Sequence, residues 1–338
     1  MKRLMLFAAL ALFMASCVKD DDCPKAVVDA NALITPKLYA TVENSSNTQS
    51  PMTGILTVAP CQPNSAIYFG NYVEGKLTPF DGYYNVKNGD FYQEANNREI
   101  SLPAGLYNMV YWGTPKYETP IYANPAVRDP VYIIGQDMSK QTFSMLKMSK
   151  DTTYYPVFDM VYAVKATNIG TENLSAALKR TVAGLKVTVK DRDNGILSAS
   201  IDSMYVHVTG ISTALNFYTA QPVPTTGTVA FPLIRSTDGT QMSNATVMLF
   251  PSIGKPVFKL FILLKNGTLK SFQQSLETPM TANTKLTLTL TLGDIFSEES
   301  SGSFTIENWN EQTQTIDVPS LDSVSYTHLR AHETCADL

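Results

Sequence analysis

Charged side chains are scarce in this chain of 338 residues, at 17%, against roughly 25% in an average soluble domain. Helix surfaces are usually covered by Lys, Glu and Arg, so this deficit argues against a helical protein. Thr, Ser, Asn and Tyr take their place, as they do on exposed β-faces and in turns. The formal net charge of −4 gives no electrostatic basis for binding nucleic acid.

Residues that carry catalysis or bind metals are also few. The chain has three histidines and four cysteines, and His207 is the only histidine before the last fifteen residues. A catalytic triad or a Cys–His pair would have to use His207, but its alternating context favours a cross-strand surface position. Carboxylates show no pairing pattern, and no phosphate-binding glycine loop is present. The sequence therefore predicts no enzyme, no cofactor and no metal site.

Apolar runs long enough to span a membrane as a helix are missing as well. The run Leu4–Met14 has eleven residues, whereas a spanning helix needs about 20. It follows Lys2 and Arg3 and leads into Ala15-Ser16-Cys17, which is similar to a bacterial lipobox, where the chain is cut before an acylated cysteine. We expect a signal peptide over residues 1–16 and a lipid anchor on Cys17. The alternative is an ordinary signal peptide with an incidental cysteine.

The residues directly after Cys17 are mostly charged, and three of them are aspartates. Lys19, Asp20, Asp21 and Asp22 resemble the acidic export signal that sends lipoproteins of Bacteroidota to the outer face of the outer membrane. Without that resemblance, the three aspartates are a solvated spacer. Residues 17–23 are thus interpreted as a lipidated acidic linker on a protein anchored in the outer membrane and facing the cell exterior.

The last fifteen residues, 324–338, differ in composition from the rest. They contain His328, His332 and Cys335, and the string is similar to the translated adapter sequence that ends many assembled reading frames. We expect a non-native tail. The alternative interpretation makes these three residues and Glu333 a metal cluster.

Period-2 alternation dominates the body of the chain. Lys285–Leu292 places four leucines on one face and threonines on the other, and Val257–Leu264 is apolar at nearly every position, which predicts a strand covered on both faces. Asn266-Gly267 predicts a hairpin between Leu263 and Lys270. Only Thr171–Arg180 favours a short helix.

Short strands and regular turns predict an all-β fold made of sandwiches. The length of the chain suggests two domains, which we place at residues 24–165 and 166–320.

Two cysteines remain unassigned. Cys23 and Cys61 are 38 residues apart, and export would place them in an oxidising compartment. A disulfide bond between them is permitted by this spacing but not required by it.

Four segments together resemble the FimB-like, fimbrillin-associated anchor lipoproteins of Bacteroidota. The first is Cys17–Pro24, where acids and a Cys-Pro follow the lipid cysteine, and the second is Ile100–Gly113, where Ala-Gly-x-Tyr precedes Trp-Gly. Leu178–Val187 is similar to the segment that opens the family's second domain, and Phe304–Asn310 is similar to its closing strand.

The resemblance implies two tandem transthyretin-like β-sandwich domains and a role in anchoring or assembling a fimbria. The partner would be a fimbrial shaft subunit, bound by strand complementation. Shaft subunits of this type first lose a blocking strand to an arginine-directed protease. The first arginine after Cys17 is Arg98, deep in the first domain, which favours a terminal subunit that keeps its lipid.

Other functions stay open at this point. A surface glycan-binding lipoprotein would share the lipobox and the β-sandwiches, and its binding would depend on Trp112 or Trp309. A shaft or tip subunit would also associate with fimbriae, and ligands on host or bacterial surfaces are further candidate partners. The triplets Asp151-Thr152-Thr153 and Asp202-Ser203-Met204 fit an O-glycosylation pattern of Bacteroidota at Thr152 and Ser203.

Overall fold

The structure, a computed structural model, describes residues 32–43, 48–79, 82–92, 99–115, 127–148, 152–191 and 193–292, together with the short strands at 303–305 and 322–323. Within these ranges the regular structure is 25 β-strands and one single-turn 3-10 helix, Met138–Lys140. The predicted all-β fold is confirmed. The finer prediction of two transthyretin-like sandwiches stays a prediction.

The first sheet closes on itself. Its strands in spatial order are β14 (Leu174–Arg180), β13 (Val161–Ile169), β10 (Gly105–Pro115), β4 (Gly54–Cys61), β7 (Tyr84–Lys87), β8 (Asp90–Phe91), β2 (Leu38–Glu43) and β3 (Gln49–Pro51). Strand β14 also pairs in parallel with β2, with Leu174 opposite Leu38, so the sheet forms a barrel-like ring. Alternate side chains, including Met109 and Tyr111, fill the ring with one apolar cluster.

The second sheet has ten strands, two more than the first. Its strands in spatial order are β24 (Ser303–Thr305), β23 (Lys285–Leu292), β15 (Ala183–Asp191), β19 (Gln241–Ser243), β18 (Thr226–Arg235), β16 (Ile201–Ser212), β21 (Ser252–Leu264), β22 (Leu269–Ser275) and β25 (Asp322–Ser323), with β20 (Val247–Leu249) beside β15. The β15–β23 pair is parallel.

Three small sheets complete the architecture. They pair β1 (Leu33–Ile34) with β9 (Leu102–Pro103), β5 (Asn71–Val73) with β6 (Lys76–Thr78), and β12 (Thr142–Met145) with both β11 (Val127–Arg128) and β17 (Ala214–Asn216). The last of these joins segments of both large sheets, since β12 lies between β10 and β13 of the first sheet in the chain and β17 follows β16 of the second.

Two predictions from alternation are confirmed. In β23, the leucines at 286, 288, 290 and 292 are buried while the threonines between them are half-buried. The β21–β22 hairpin pairs Leu263 with Leu269, and Gly267 in its turn has φ of +84°, which glycine adopts without steric cost.

The predicted helix at Thr171–Arg180 is wrong, because Leu174–Arg180 is strand β14. Leu174 and Leu178 are four residues apart, a spacing that fits one face of a helix and one face of a strand equally well. Ala176 decides between them, since it is buried together with the two leucines and the intervening side chains are exposed. Pairing with β2 then fixes the extended conformation.

The expectation that Val257–Leu264 is covered on both faces is also wrong. Phe258, Leu260, Ile262 and Leu264 face the core; on the other face Phe261 is 9% exposed, but Val257, Lys259 and Leu263 are partly exposed. The high apolar content of this segment therefore serves one buried face and one half-exposed face.

Sheet membership changes along the chain between Arg180 and Ala183. The predicted domain boundary near residue 165 lies inside β13, whose partners β10 and β14 belong to the first sheet. The larger apolar cluster includes Ala59, Val110 and Trp112 from the outer face of the first sheet as well as the core of the second. The two sheets are thus packed through one continuous core.

Candidate functional site

Most of the residues that the sequence nominates for lipid attachment and export lie outside the described ranges. These are Cys17, Lys19, Asp20, Asp21, Asp22 and Cys23, and the nominated tail residues lie outside them too. The two candidate O-glycosylation residues are described: Thr152 is exposed and Ser203 is half-buried on β16. These assignments stay predictions.

Cys61 lies at the end of β4 and is fully buried. Its thiol points toward the carbonyl of Ala59 at 3.9 Å and forms no disulfide bond with any described residue. Burial, with a smaller contribution from the charge of Asp137, raises the pKa of the Cys61 thiol to about 12. A thiol that stays protonated near neutral pH is a poor nucleophile, so Cys61 acts as an apolar core residue here, and its pairing with Cys23 stays a prediction.

An aromatic joint connects the first sheet with the small sheet of β11, β12 and β17. We define it as Trp112 of β10, Phe143 of β12, Tyr162 of β13 and Phe217 after β17. The Trp112 ring lies 4.7 Å from Phe143 and 4.8 Å from Tyr162 between centroids, and its Nε1–H donates to the Phe217 carbonyl at 2.8 Å. Each ring buries a large apolar area, and the indole hydrogen bond fixes their relative orientation.

Polar contacts reinforce the aromatic joint around Tyr218. The Tyr162 hydroxyl donates to the Tyr218 carbonyl, and Asn108 on β10 donates from Nδ2 to the Tyr218 hydroxyl at 2.9 Å. Burial raises the pKa of Tyr162 well above its ordinary value, so its hydroxyl remains a donor at physiological pH. Hydrogen bonds as well as ring contacts therefore fix the geometry of the joint.

The burial of Trp112 bears on the glycan-binding alternative. Trp112 is only 2% exposed, and its ring faces are occupied by the joint, so it cannot stack on a sugar. Tyr68, Tyr84 and Tyr111 are buried as well, whereas Tyr83 is 45% exposed and Tyr92 39%. Trp309 lies outside the described residues.

A buried ion pair holds the end of the first sheet. Asp159 precedes β13 and is fully buried, and Arg180 ends β14. Arg180 donates from Nε to Oδ1 at 2.8 Å and from Nη2 to Oδ2 at 2.9 Å. Such a bidentate contact is the geometry that best offsets the desolvation of both charges. A buried acid could be suspected from the sequence, because Asp159 lies inside the apolar run Val157–Val161.

The outer edge of β23 is a candidate surface for strand addition. Strand β24 pairs with it antiparallel, with Ser303, Phe304 and Thr305 opposite Thr289, Leu288 and Thr287. Within the described part of the chain, the remaining residues of β23, among them Leu290–Leu292, have a neighbouring strand only on the β15 side. An edge of this kind offers backbone donors and acceptors together with a regular apolar face.

Groups that suggest chemistry are scarce among the described residues. No cluster of three or more His, Cys, Asp and Glu side chains in these ranges has metal-binding geometry. His207 lies on β16 as predicted and packs edge-on against Phe261 across the β16–β21 pair, at 4.8 Å between ring centroids. Within the described ranges, no helix has the length and hydropathy of a membrane-spanning segment.

Comparison with known proteins assigns a family. No curated protein matches the sequence, but the family model of the fimbrillin-A associated anchor proteins Mfa1 and Mfa2 matches residues 20–315. The fold is similar to that of the fimbrial anchor protein Mfa2 from Porphyromonas gingivalis, with 11% identity over 85% of this chain and 100% of that one at a TM-score of 0.52.

A second similar fold belongs to a protein from Bacteroides ovatus named as a candidate adhesin. The identity is 9%, the alignment covers 83% of this chain and 96% of that one, and the TM-score is 0.50. Both structural similarities concern the fold, whereas the family model covers most of the sequence. The chain therefore belongs to the family of fimbrillin-A associated anchor proteins.

Proposed function

We propose that this protein is a non-enzymatic lipoprotein of the cell surface that anchors a fimbria, or assists its assembly, at the outer membrane. The observation that carries the proposal is the family match over residues 20–315, which begins three residues after the lipobox cysteine. The lipid on Cys17 holds the protein, and the acidic residues 19–22 direct it to the outer face.

The partner is a fimbrial shaft subunit, which contributes a strand to the second sheet. The outer edge of β23 favours this mode, because the leucines of β23 are part of the apolar core. In the described part of the chain, β24 covers only three residues of this edge. An incoming strand gains backbone hydrogen bonds along the edge and places alternate apolar side chains over the same core. The absence of arginine between Cys17 and Arg98 fits a subunit that ends the polymer instead of one processed into its shaft.

A photo-crosslinking residue placed at Thr291, on the edge of β23, is expected to capture a fimbrial subunit on intact cells. The matched control is the same residue at Asn266, in the exposed turn of the β21–β22 hairpin, which should capture none. Mass spectrometry of the adduct identifies the partner. Equal capture at both positions, or none at Thr291 in cells that display fimbriae, would refute strand addition at this edge.

Cells that carry Cys17→Ala are expected to lose membrane attachment of the fimbria, because the protein then has no acyl chain to hold it. Sheared and whole-cell fractions, probed for this protein and for the shaft subunit, measure the effect. Shafts of normal length and normal attachment in these cells would contradict the anchor function. Recovery of the wild-type protein mainly in sheared fimbriae would indicate a shaft or tip subunit.

A further inference from the structure

The loop between β11 and the 3-10 helix exposes three aliphatic side chains within four consecutive positions. Val131 is 60% exposed, Ile133 55% and Ile134 39%. Single exposed aliphatic residues are ordinary on protein surfaces, but a group of them in four consecutive positions indicates contact with another apolar phase.

The loop is held in a fixed conformation. Between these residues, the Tyr132 ring packs edge-on against Tyr68 and Phe217, at 5.5 and 5.6 Å between centroids. The Gly135 N–H donates to the Tyr68 carbonyl at 2.8 Å, and Gly135 has φ of +81°, which turns the chain sharply. The aliphatic side chains are thus presented by an anchored backbone.

The exposed loop lies at the end of the first sheet where the described chain begins. Ile134 packs over Gly70, where its Cγ1 is 3.0 Å from the position that a Cβ atom would occupy. Gly70 leads into β5, whose Tyr72 pairs with Ser101, and the Ser101 hydroxyl lies 3.1 Å from the hydroxyl of Thr35, just after β1.

Two more exposed leucines belong to the same end of the molecule. Leu33 on β1 and Leu77 on β6 are each 39% exposed, and the hydrogen-bonded contacts from β1 through β5 to β6 connect them with the loop. The aliphatic patch is therefore defined as Leu33, Leu77, Val131, Ile133 and Ile134.

We propose that the aliphatic patch rests in the lipid surface to which the acylated Cys17 is attached. The described chain begins fifteen residues after Cys17, so an extended linker reaches at most about 50 Å. The lipid anchor therefore lies within that distance of the end that carries the patch. The inference rests on the lipid attachment in the proposed function and adds an orientation to it.

Lipid is the favoured occupant because of the chemistry of the patch. Its five side chains are branched aliphatic groups without rings or hydrogen-bonding atoms, whereas protein interfaces are enriched in Tyr, Trp and Arg. Exposed Lys76 on β6 can extend its charged end to lipid phosphates, while Lys140 on the 3-10 helix lies 3.9 Å from Asp137. Because the acyl chain already holds the protein at the membrane, shallow insertion suffices to fix its orientation.

A flotation experiment tests the patch without the lipid anchor. The mature chain with Cys17→Ser is mixed with vesicles of phosphatidylethanolamine and phosphatidylglycerol, alone and with Val131→Ser and Ile133→Ser combined. We expect the doubly substituted protein to partition at least about tenfold less, since each substitution removes an aliphatic group from the acyl region. The control is Ile196→Ser, which removes an isoleucine that is 75% exposed on the second half of the chain and should leave partitioning unchanged.

Depth-dependent quenching locates the contact. Tryptophan fluorescence of Ile133→Trp is expected to be quenched by brominated lipids beyond the background of the parent chain, and that of Ile196→Trp is not. Equal partitioning of the parent, the double variant and the Ile196 control overturns the proposal, as does absence of quenching at position 133. A parent dimer that the double substitution converts to a monomer overturns it as well, because a second copy then covers the patch.

The vesicle experiment and the Cys17→Ala experiment can fail independently of each other. Fimbrial attachment that depends on Cys17 combined with no vesicle binding by the parent chain would reject the patch and keep the anchor. Vesicle binding that depends on the patch, combined with fimbrial attachment that does not depend on Cys17, would keep the patch and reject the anchor.

Discussion

Trp112→Ala is expected to lower the free energy of unfolding by about 3–5 kcal/mol, the usual cost of removing a buried large aromatic side chain. Trp112 contacts Phe143, Tyr162 and Phe217 with its ring, and these residues come from both sides of the aromatic joint. The loss of one side chain therefore opens a cavity between the first sheet and the small sheet of β11, β12 and β17. Urea unfolding followed by circular dichroism measures the change.

Trp112→Phe separates packing from hydrogen bonding at the same position. Phenylalanine keeps an aromatic ring but cannot donate to the Phe217 carbonyl, which Trp112 does at 2.8 Å. A buried carbonyl without its partner costs about 1–3 kcal/mol. The control is Leu106→Ala on the same strand, where the side chain is 43% exposed and the expected cost is below about 1 kcal/mol. A Trp112→Ala cost no larger than that of Leu106→Ala would show that the aromatic joint contributes little to stability.

The sequence predicts the strands better than the contacts between them. In β23 the repeat of leucine and threonine determines the buried face, because side chains alternate along a strand. Strand β14 is missed because Leu174 and Leu178 fit two periods at once, and only pairing with β2 resolves the ambiguity. Local patterns therefore suffice where one period dominates and fail where a tertiary partner decides.

The aromatic joint lies beyond the reach of a single sequence for another reason. Trp112 and Phe217 are 105 residues apart in the chain, and the local pattern of neither segment predicts a contact with the other. The sequence offers Trp112 as a residue on which glycan binding would depend, and gives no indication that it packs against Phe143 and Phe217. The aliphatic patch is similar, since Leu33, Leu77 and Val131 come together only through small sheets of two or three residues.

Arg180→Met is expected to cost about 3–5 kcal/mol of unfolding free energy, because it leaves the buried carboxylate of Asp159 without a partner. Asp159 is fully buried and both of its oxygens accept from Arg180. The double variant Asp159→Leu with Arg180→Met removes both charges and should recover most of the loss, since an apolar pair of similar size has no desolvation penalty. Lys179→Met is the control: its side chain is 71% exposed in its pair with Glu43, and exposed pairs contribute about 0–1 kcal/mol.

The effect of Arg180→Met should depend on pH in a defined direction. Burial raises the pKa of Asp159 above its ordinary value, and the hydrogen bonds and charge of Arg180 oppose that rise. Without Arg180 the opposition is lost, so the folded variant holds a proton on Asp159 more tightly than the unfolded chain does. Its deficit in stability is therefore largest above the raised pKa and shrinks as the pH falls through it. Urea unfolding of the variant and the wild type at about pH 7 and about pH 5 measures this difference, and a deficit that grows on acidification would contradict the assignment of a charged, buried Asp159.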